Sequence, residues 1–153
     1  MGVKLTEEEI KDFLTQGHTL ILSTIRKSGA PFMTPLWYVY HEGSIYTSTL
    51  AKSAKVGHIR RDPRACVMVE EGEKWVDLHV VVANCTAEIL EGDEHQKWYR
   101  GLSDPKYKDF RGERAKAPEA TQKHYSQGSV LIKLTPIPGE IRSWYNRKIR
   151  MAS

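Results

Sequence analysis

Three β-branched, apolar segments near the start of the chain are joined by links too short for anything but reversal, and this spacing limits the fold more than any other feature. Residues 19–27 and 32–40 flank Ser28-Gly29-Ala30-Pro31, and residues 32–40 and 44–49 flank Glu42-Gly43. Glycine beside small or polar residues is hairpin chemistry, whereas a parallel crossover needs a dozen or more residues. The spacing predicts three antiparallel strands arranged as a meander. Residues 64–71 and 76–90, joined at Glu71-Gly72-Glu73-Lys74, read as another pair, the second long enough to bend. Residues 129–135 and 140–147 read as two last strands around Pro136-Ile137-Pro138-Gly139.

Helices punctuate these strands. Thr6-Glu7-Glu8-Glu9 is a capping box with an acidic first turn, so a helix is expected over 7–16, with Ile10, Phe13 and Leu14 inward and Gly17 as its stop. Residues 52–61 read as a short helix closed by Asp62-Pro63. Residues 91–127 read as a helical insert, helical at 91–102 and 118–127, with a polar stretch containing Asp104-Pro105 between. Six or seven antiparallel strands in a chain of 153 residues favour a closed or partly closed barrel, because closure removes exposed edges. The expectation is one α+β barrel domain over 1–153.

Composition narrows the function classes. A hydrophobic fraction of 40% is globular, and apolar runs such as 80–83 are far below the ~18–20 residues of a membrane span. The acidic N-terminal stretch has no secretory-signal pattern, and a cytoplasmic location is expected. Cys66 and Cys85 lie in strand-like segments without metal-ligand spacing, so reduced, buried thiols and no metal site are expected.

The net charge of +4 is unevenly spread. Lys52, Lys55, Arg60, Arg61 and Arg64 share the 52–64 stretch with one acid, Asp62, while Arg142, Arg147, Lys148 and Arg150 share 142–150 with none. Two cationic patches on a slightly acidic body point to anion binding at defined places. In the first patch Thr47-Ser48-Thr49 ends a strand and Leu50-Ala51-Lys52-Ser53-Ala54-Lys55 opens a helix. Hydroxyls, free amides and an ammonium then converge at a positive helix end, which outlines a phosphate site; the alternative is a solvated basic helix face. The glycine spacing of a P-loop or dinucleotide turn is absent.

Pro35 stands in mid-strand within Met33-Thr34-Pro35-Leu36-Trp37, where it removes a ladder donor. That strand must be an edge, a bulge, or a place where something else meets the backbone. Freed backbone groups can address the polar edge of a planar ligand; the alternative is a barrel rim with Trp37 in the core. No side chain is an evident acid or base, with Tyr38, Tyr40 and His79 as residues near a barrel mouth.

Thr24-Ile25-Arg26-Lys27-Ser28-Gly29-Ala30-Pro31, Thr34-Pro35-Leu36-Trp37, Ile45-Tyr46-Thr47-Ser48-Thr49, Ala54-Lys55 and Ile59-Arg60-Arg61-Asp62-Pro63-Arg64 together resemble the pyridoxamine 5′-phosphate oxidase-like split β-barrel superfamily of flavin and deazaflavin proteins. The resemblance is clearest over 7–90. It implies a Greek-key split barrel of six to seven antiparallel strands with flanking helices. It further implies a homodimer with two interfacial cofactor sites and a small-molecule substrate. By this resemblance Met33, Thr34, Pro35, Leu36 and Trp37 lie along the ring of FMN, and Ser48, Thr49, Ser53 and Lys55 hold its phosphate. Trp144 resembles the late tryptophan that reaches the neighbouring subunit's flavin, and Arg147 is carried over beside it.

Two departures count against pyridoxamine phosphate oxidation itself: Phe32 and Met33 replace the early arginine of the second strand, and the late Arg-x-His-Asp-Arg-like motif is missing. The expected activity is an FMN-dependent oxidoreductase. Its alternative is a reductase using coenzyme F420, whose anionic tail Lys52, Arg60, Arg61 and the C-terminal basic strand would meet. A non-catalytic flavin- or haem-binding protein is a reading of another class, although none of the six histidines stands in a recognisable haem setting. Nucleic acid is a remote partner, since the basic excess is local. Trp98, Tyr99, Tyr107, Phe110 and Tyr125 are expected to pack the insert against the barrel or to gate the site.

Overall fold

A computed structural model describes residues 3–112, 118–119 and 128–149. Seven strands form one antiparallel sheet curled into a half-barrel: β1 (Leu20–Ile25), β2 (Pro31–Leu36), β3 (Val39–His41), β4 (Ser44–Leu50), β5 (Arg64–Glu71), β6 (His79–Leu90) and β7 (Ser129–Tyr145). Their order across the sheet is β2-β1-β5-β6-β7-β4-β3. Among the described residues three helices flank it: α1 (Glu7–Gln16), α2 (Ala54–Arg61) and α3 (Asp93–Tyr107). This is an α+β split barrel, as expected. No helix among the described residues is long and apolar enough to cross a membrane.

The opening meander is corrected. The segment 32–40 is two strands, and they lie on opposite edges of the sheet: β2 pairs with β1, and β3 pairs with β4. The chain crosses between the edges in two residues, Trp37 and Tyr38. It leaves the ladder there because side chains saturate the backbone: Thr47 Oγ1 donates to the Trp37 carbonyl at 2.7 Å, and the Tyr38 amide donates to Tyr107 Oη at 2.9 Å. The two last strands are likewise one, β7, out of which 137–140 loop between the Cys85–Pro136 and Ala83–Ile141 pairs. Gly139 turns that loop at φ 81°.

The capping box forms as the sequence indicates, with Glu9 N donating to Thr6 Oγ1 at 3.2 Å and Thr6 N to Glu9 Oε1 at 3.1 Å. α1 inserts Phe13 and Leu14 into a core built from Leu20, Leu22, Val67, Val69, Val81, Ile45, Ile132 and Leu134. α2 adds Val56 and Ile59. The expected helix 91–102 extends instead through Asp104-Pro105 to Tyr107. Pro105 is tolerated because it and Gly101, whose carbonyl loses its donor, both face solvent. The helix expected over 118–127 lies outside the described residues, apart from Pro118 and Glu119, and so does Tyr125.

Candidate functional site

The hairpin β1–β2 sets which backbone groups of β2 are free. Arg26 N donates to the Ala30 carbonyl at 2.9 Å and Gly29 N to the Arg26 carbonyl at 2.8 Å, with Gly29 at φ 89°, a type I turn closed by a glycine bulge. From that phase, alternate residues Phe32, Thr34 and Leu36 form the hydrogen-bonded pairs with β1. The backbone groups of Pro31, Met33 and Pro35 point outward from the sheet edge. Both prolines thus fall where no donor is needed, and Met33 supplies the outward amide of this stretch. The Met33 side chain is 61% exposed, while Thr34 Oγ1 is buried without a hydrogen-bond partner.

The opposite lip of the split is the end of β4. β3 pairs only with residues 44–46 of β4, so Thr47, Ser48 and Thr49 continue with one side unpaired by strand. Side chains alternate along this end and divide the expected phosphate group. Lys55 Nζ donates to Thr49 Oγ1 at 3.2 Å, and Thr49 Oγ1 donates to Ser53 Oγ at 3.4 Å. Ser48 points elsewhere, donating from Oγ to Gln96 Oε1 of α3 at 2.8 Å. Ser53 is the N-cap of α2 but makes no side-chain cap bond, and the first turn carries no acid. The opening amides of α2 and the hydroxyls of Thr49 and Ser53 therefore converge with Lys55. Burial alone lowers the Lys55 pKa, and no carboxylate of the described residues is paired with it.

The other cations are largely spoken for. Arg60 pairs with Glu91, Arg64 with Asp62, Arg147 with Asp77, and Lys148 with Glu9. Arg61 donates to the Ile25 carbonyl at 3.0 Å. The strongly cationic C-terminal patch read from sequence is thus offset by acids distant in the chain.

At the far end of β2, Trp37 is half-buried and stacks on Tyr107, with ring centroids 4.4 Å apart and planes within 1°. His18 meets its edge at 5.8 Å, and the Arg111 guanidinium lies 5.6 Å from its ring. Lys106 Nζ donates to the Tyr38 carbonyl at 3.0 Å and sits 3.9 Å from the Tyr38 ring centroid; burial pushes its pKa down to about 8. The Tyr99 hydroxyl lies 3.5 Å from the Trp37 carbonyl. The sequence did not single out Gln96 and Lys106, and it gave Tyr99 and Tyr107 no part beyond packing or gating. A helix continued through Asp104-Pro105 puts Gln96, Tyr99, Ser103 and Tyr107 on one buried face, which is the signal for Gln96 and Tyr107; Lys106 has no such signal.

Neither Tyr38 nor His79 is a free acid or base. The Tyr38 hydroxyl, fully buried, donates to the Leu14 carbonyl, and burial drives its pKa far up. His79 is sandwiched between Phe13 and Tyr145 at 3.9 and 4.2 Å, and burial depresses its pKa. Tyr40 is half-buried against the core. Trp144 is 36% exposed on the outer sheet face, and Lys55 follows the opposite end of the strand pair, since β4 meets β7 at Ser129 and Trp144 lies near the end of this seventeen-residue strand. One chain does not bring Trp144 to the Lys55 cluster.

A curled antiparallel half-barrel whose open edge and basic helix start face a split defines the class of split-barrel proteins. The chain belongs to the pyridoxamine 5′-phosphate oxidase family, whose model matches residues 6–143. A conserved hypothetical protein from Mycobacterium tuberculosis is similar over 99% of this chain and 93% of its own, at 28% identity and a TM-score of 0.80. A FAD-binding protein from Mesorhizobium loti shares the fold at 17% identity and a TM-score of 0.68, covering 92% of this chain and 94% of that one. An F420 reductase does so at 18% identity and a TM-score of 0.63, covering 83% and 92%. No curated protein matches the chain.

Proposed function

We propose that this protein is a homodimeric oxidoreductase that holds FMN in the split, its phosphate on Thr49, Ser53, Lys55 and the opening amides of α2. The observation that carries the reading is the half-buried Lys55 ammonium, held by a hydroxyl at a helix start, without a carboxylate among the described residues. A desolvated cation already oriented by Thr49 meets an anion without further reorganisation. The buried, unpartnered Thr34 hydroxyl and the outward Met33 amide fit the polar edge of a ring lying along β2. When bound, the flavin supplies transfer of a hydride or electron pair to or from a small organic substrate. The chain's own part is to bind the phosphate, orient the ring with β2 and Trp37, and place the Met33 N–H where negative charge gathers. No side chain is assigned as acid or base.

Self-association supplies what one chain lacks. The strand registers place Met33, Ser23, Cys66 and Asn84 in one row of the outer sheet face, and Pro35, Ile21, Met68, Val82 and Arg142 in the next. Met33 and Trp144 are exposed there, and Ile21, Met68 and Val82 are half-buried. An apolar face of this kind is matched by a second copy, which would also bring Trp144 and Arg147 toward the partner's split. Arg147 would act there from its pair with Asp77.

Coenzyme F420 is the other cofactor this fold admits under the proposal. Arg60, Arg64, Arg147 and Lys148 already pair with acids, which leaves fewer cations for its anionic tail and favours FMN. The test is the visible absorption spectrum of the purified protein, followed by titration with FMN and with coenzyme F420 at low and high salt. Uptake of FMN with small salt dependence supports the reading; uptake of neither overturns it.

A further inference from the structure

We infer that α3 is the positioning element of the split: Gln96, Tyr99 and Tyr107 fix Ser48, at the end of β4, and Trp37-Tyr38, where the chain leaves β2, in one frame. The inference rests on the cofactor reading above and extends it to a helix that reading does not use. A helix docked for stability alone presents an aliphatic stripe. α3 buries Gln96, Tyr99, Ser103 and Tyr107 instead, at 9%, 6%, 1% and 0% exposure. Gln96 Nε2 and Ser103 Oγ meet no protein partner among the described residues, which leaves them to a water or a ligand.

Gln96, Tyr99 and Tyr107 each reach the end of β4 or the Trp37-Tyr38 crossing. Gln96 Oε1 accepts from Ser48 Oγ at 2.8 Å. The Tyr99 hydroxyl lies 3.5 Å from the Trp37 carbonyl. Tyr107 Oη accepts from the Tyr38 amide at 2.9 Å, donates to the His18 carbonyl at 2.8 Å, and its ring stacks on Trp37. One helix therefore grips the end of β4 and the end of the β2 edge together. A displacement of about 1 Å in such a frame is enough to weaken a fitted site strongly.

Gln96 also sets the polarity of Ser48. With its carbonyl toward Ser48, the hydroxyl proton is consumed and Ser48 can only accept. Turning the amide over makes Nε2 the donor to Ser48 Oγ, ends the isolation of Nε2, and frees the Ser48 proton for another acceptor beside α3. Such an acceptor and the satisfied amide thus favour the same orientation.

The test compares wild type, Gln96→Leu and Tyr107→Phe by FMN titration, the absorption envelope of the bound flavin, and melting of the cofactor-free protein. Gln96→Leu removes a buried, half-satisfied amide, so its melting temperature is expected to be no lower than wild type while the FMN Kd rises tenfold or more and the envelope shifts. Tyr107→Phe keeps the ring stack and frees the Tyr38 amide; it should lower the melting temperature and shift the envelope as well. Wild-type affinity and spectrum in both variants overturn the inference, as does an affinity loss that tracks lowered melting in both, because a purely structural helix would give that. If wild type takes up neither FMN nor coenzyme F420, the cofactor reading fails and the inference falls with it.

Discussion

Lys55→Met is the substitution whose consequence follows most directly from the geometry. It keeps the apolar stem and removes only the ammonium that Thr49 Oγ1 holds at 3.2 Å. Unit charges about 4 Å apart interact by about 4 kcal/mol at the effective dielectric of a protein surface. The Thr49 and Ser53 hydroxyls and the helix amides remain in the variant and recover part of this, so the net loss should be that of a charged hydrogen bond, about 1.5–3 kcal/mol. The FMN Kd is then expected to rise by roughly 10- to 150-fold. Riboflavin lacks the phosphate, so its affinity should change by no more than about twofold, and the cycle of two proteins and two flavins isolates the ammonium–phosphate coupling. Quenching of flavin fluorescence at two ionic strengths measures all four constants.

The pH dependence has a definite sign. Burial holds the Lys55 pKa below its ordinary value in the free protein, and an adjacent phosphate moves it back up. FMN affinity should therefore be full below the free-state pKa and decline as pH rises from there through the bound-state pKa, with this contribution absent in Lys55→Met. Equal weakening of FMN and riboflavin, or no weakening of FMN, would refute the assignment of the phosphate to Lys55.

Gly17→Ala should destabilise the fold by about 1–3 kcal/mol in urea unfolding, since an added Cβ would lie 2.3 Å from Tyr38 Oη and 2.6 Å from Val69 Cγ1. Lys148 and the Thr6 cap hold the Glu9 pKa at about 2, so Glu9 contributes stability present above its unfolded value of 4.5 and lost as pH falls from there toward 2. Glu9→Gln should flatten the acid side of the melting-temperature profile over that window. Met68→Lys, which places a charge between Ile21 and Val82 on the outer sheet face, should give a monomer in light scattering where the wild type gives the proposed dimer, with the fold's circular dichroism intact.

Residues that act together and lie together were legible in the sequence. The Thr6 capping box, the Gly29 hairpin and the Thr49-Ser53-Lys55 cluster each span fewer than a dozen residues, and local geometry alone nearly determines them. Pro35 limits its strand to an edge, a bulge or a covered backbone, because a missing donor is a local fact, and the sheet order selects the edge. Pro105 misled for the same reason in reverse: its cost depends on whether the Gly101 carbonyl meets water, which the surrounding fold decides. Alternation over 32–40 predicts one unbroken strand, because it reports a strand's faces and says nothing of its partner.

The amino-acid order by itself determined an antiparallel α+β barrel, its helix starts and the cluster of hydroxyls and ammonium at the end of β4, since turn chemistry, caps and a run of hydroxyls before a lysine operate within a few bonds. Only the folded chain decided that β2 and β3 go to opposite edges, that Ser48 turns from Lys55 to Gln96, and that Arg60, Arg147 and Lys148 are matched by Glu91, Asp77 and Glu9. Those outcomes set groups far apart in the chain against one another. Which backbone carbonyl, hydroxyl or carboxylate each group meets is fixed by the packing of the whole sheet, and no local stretch of sequence carries that information.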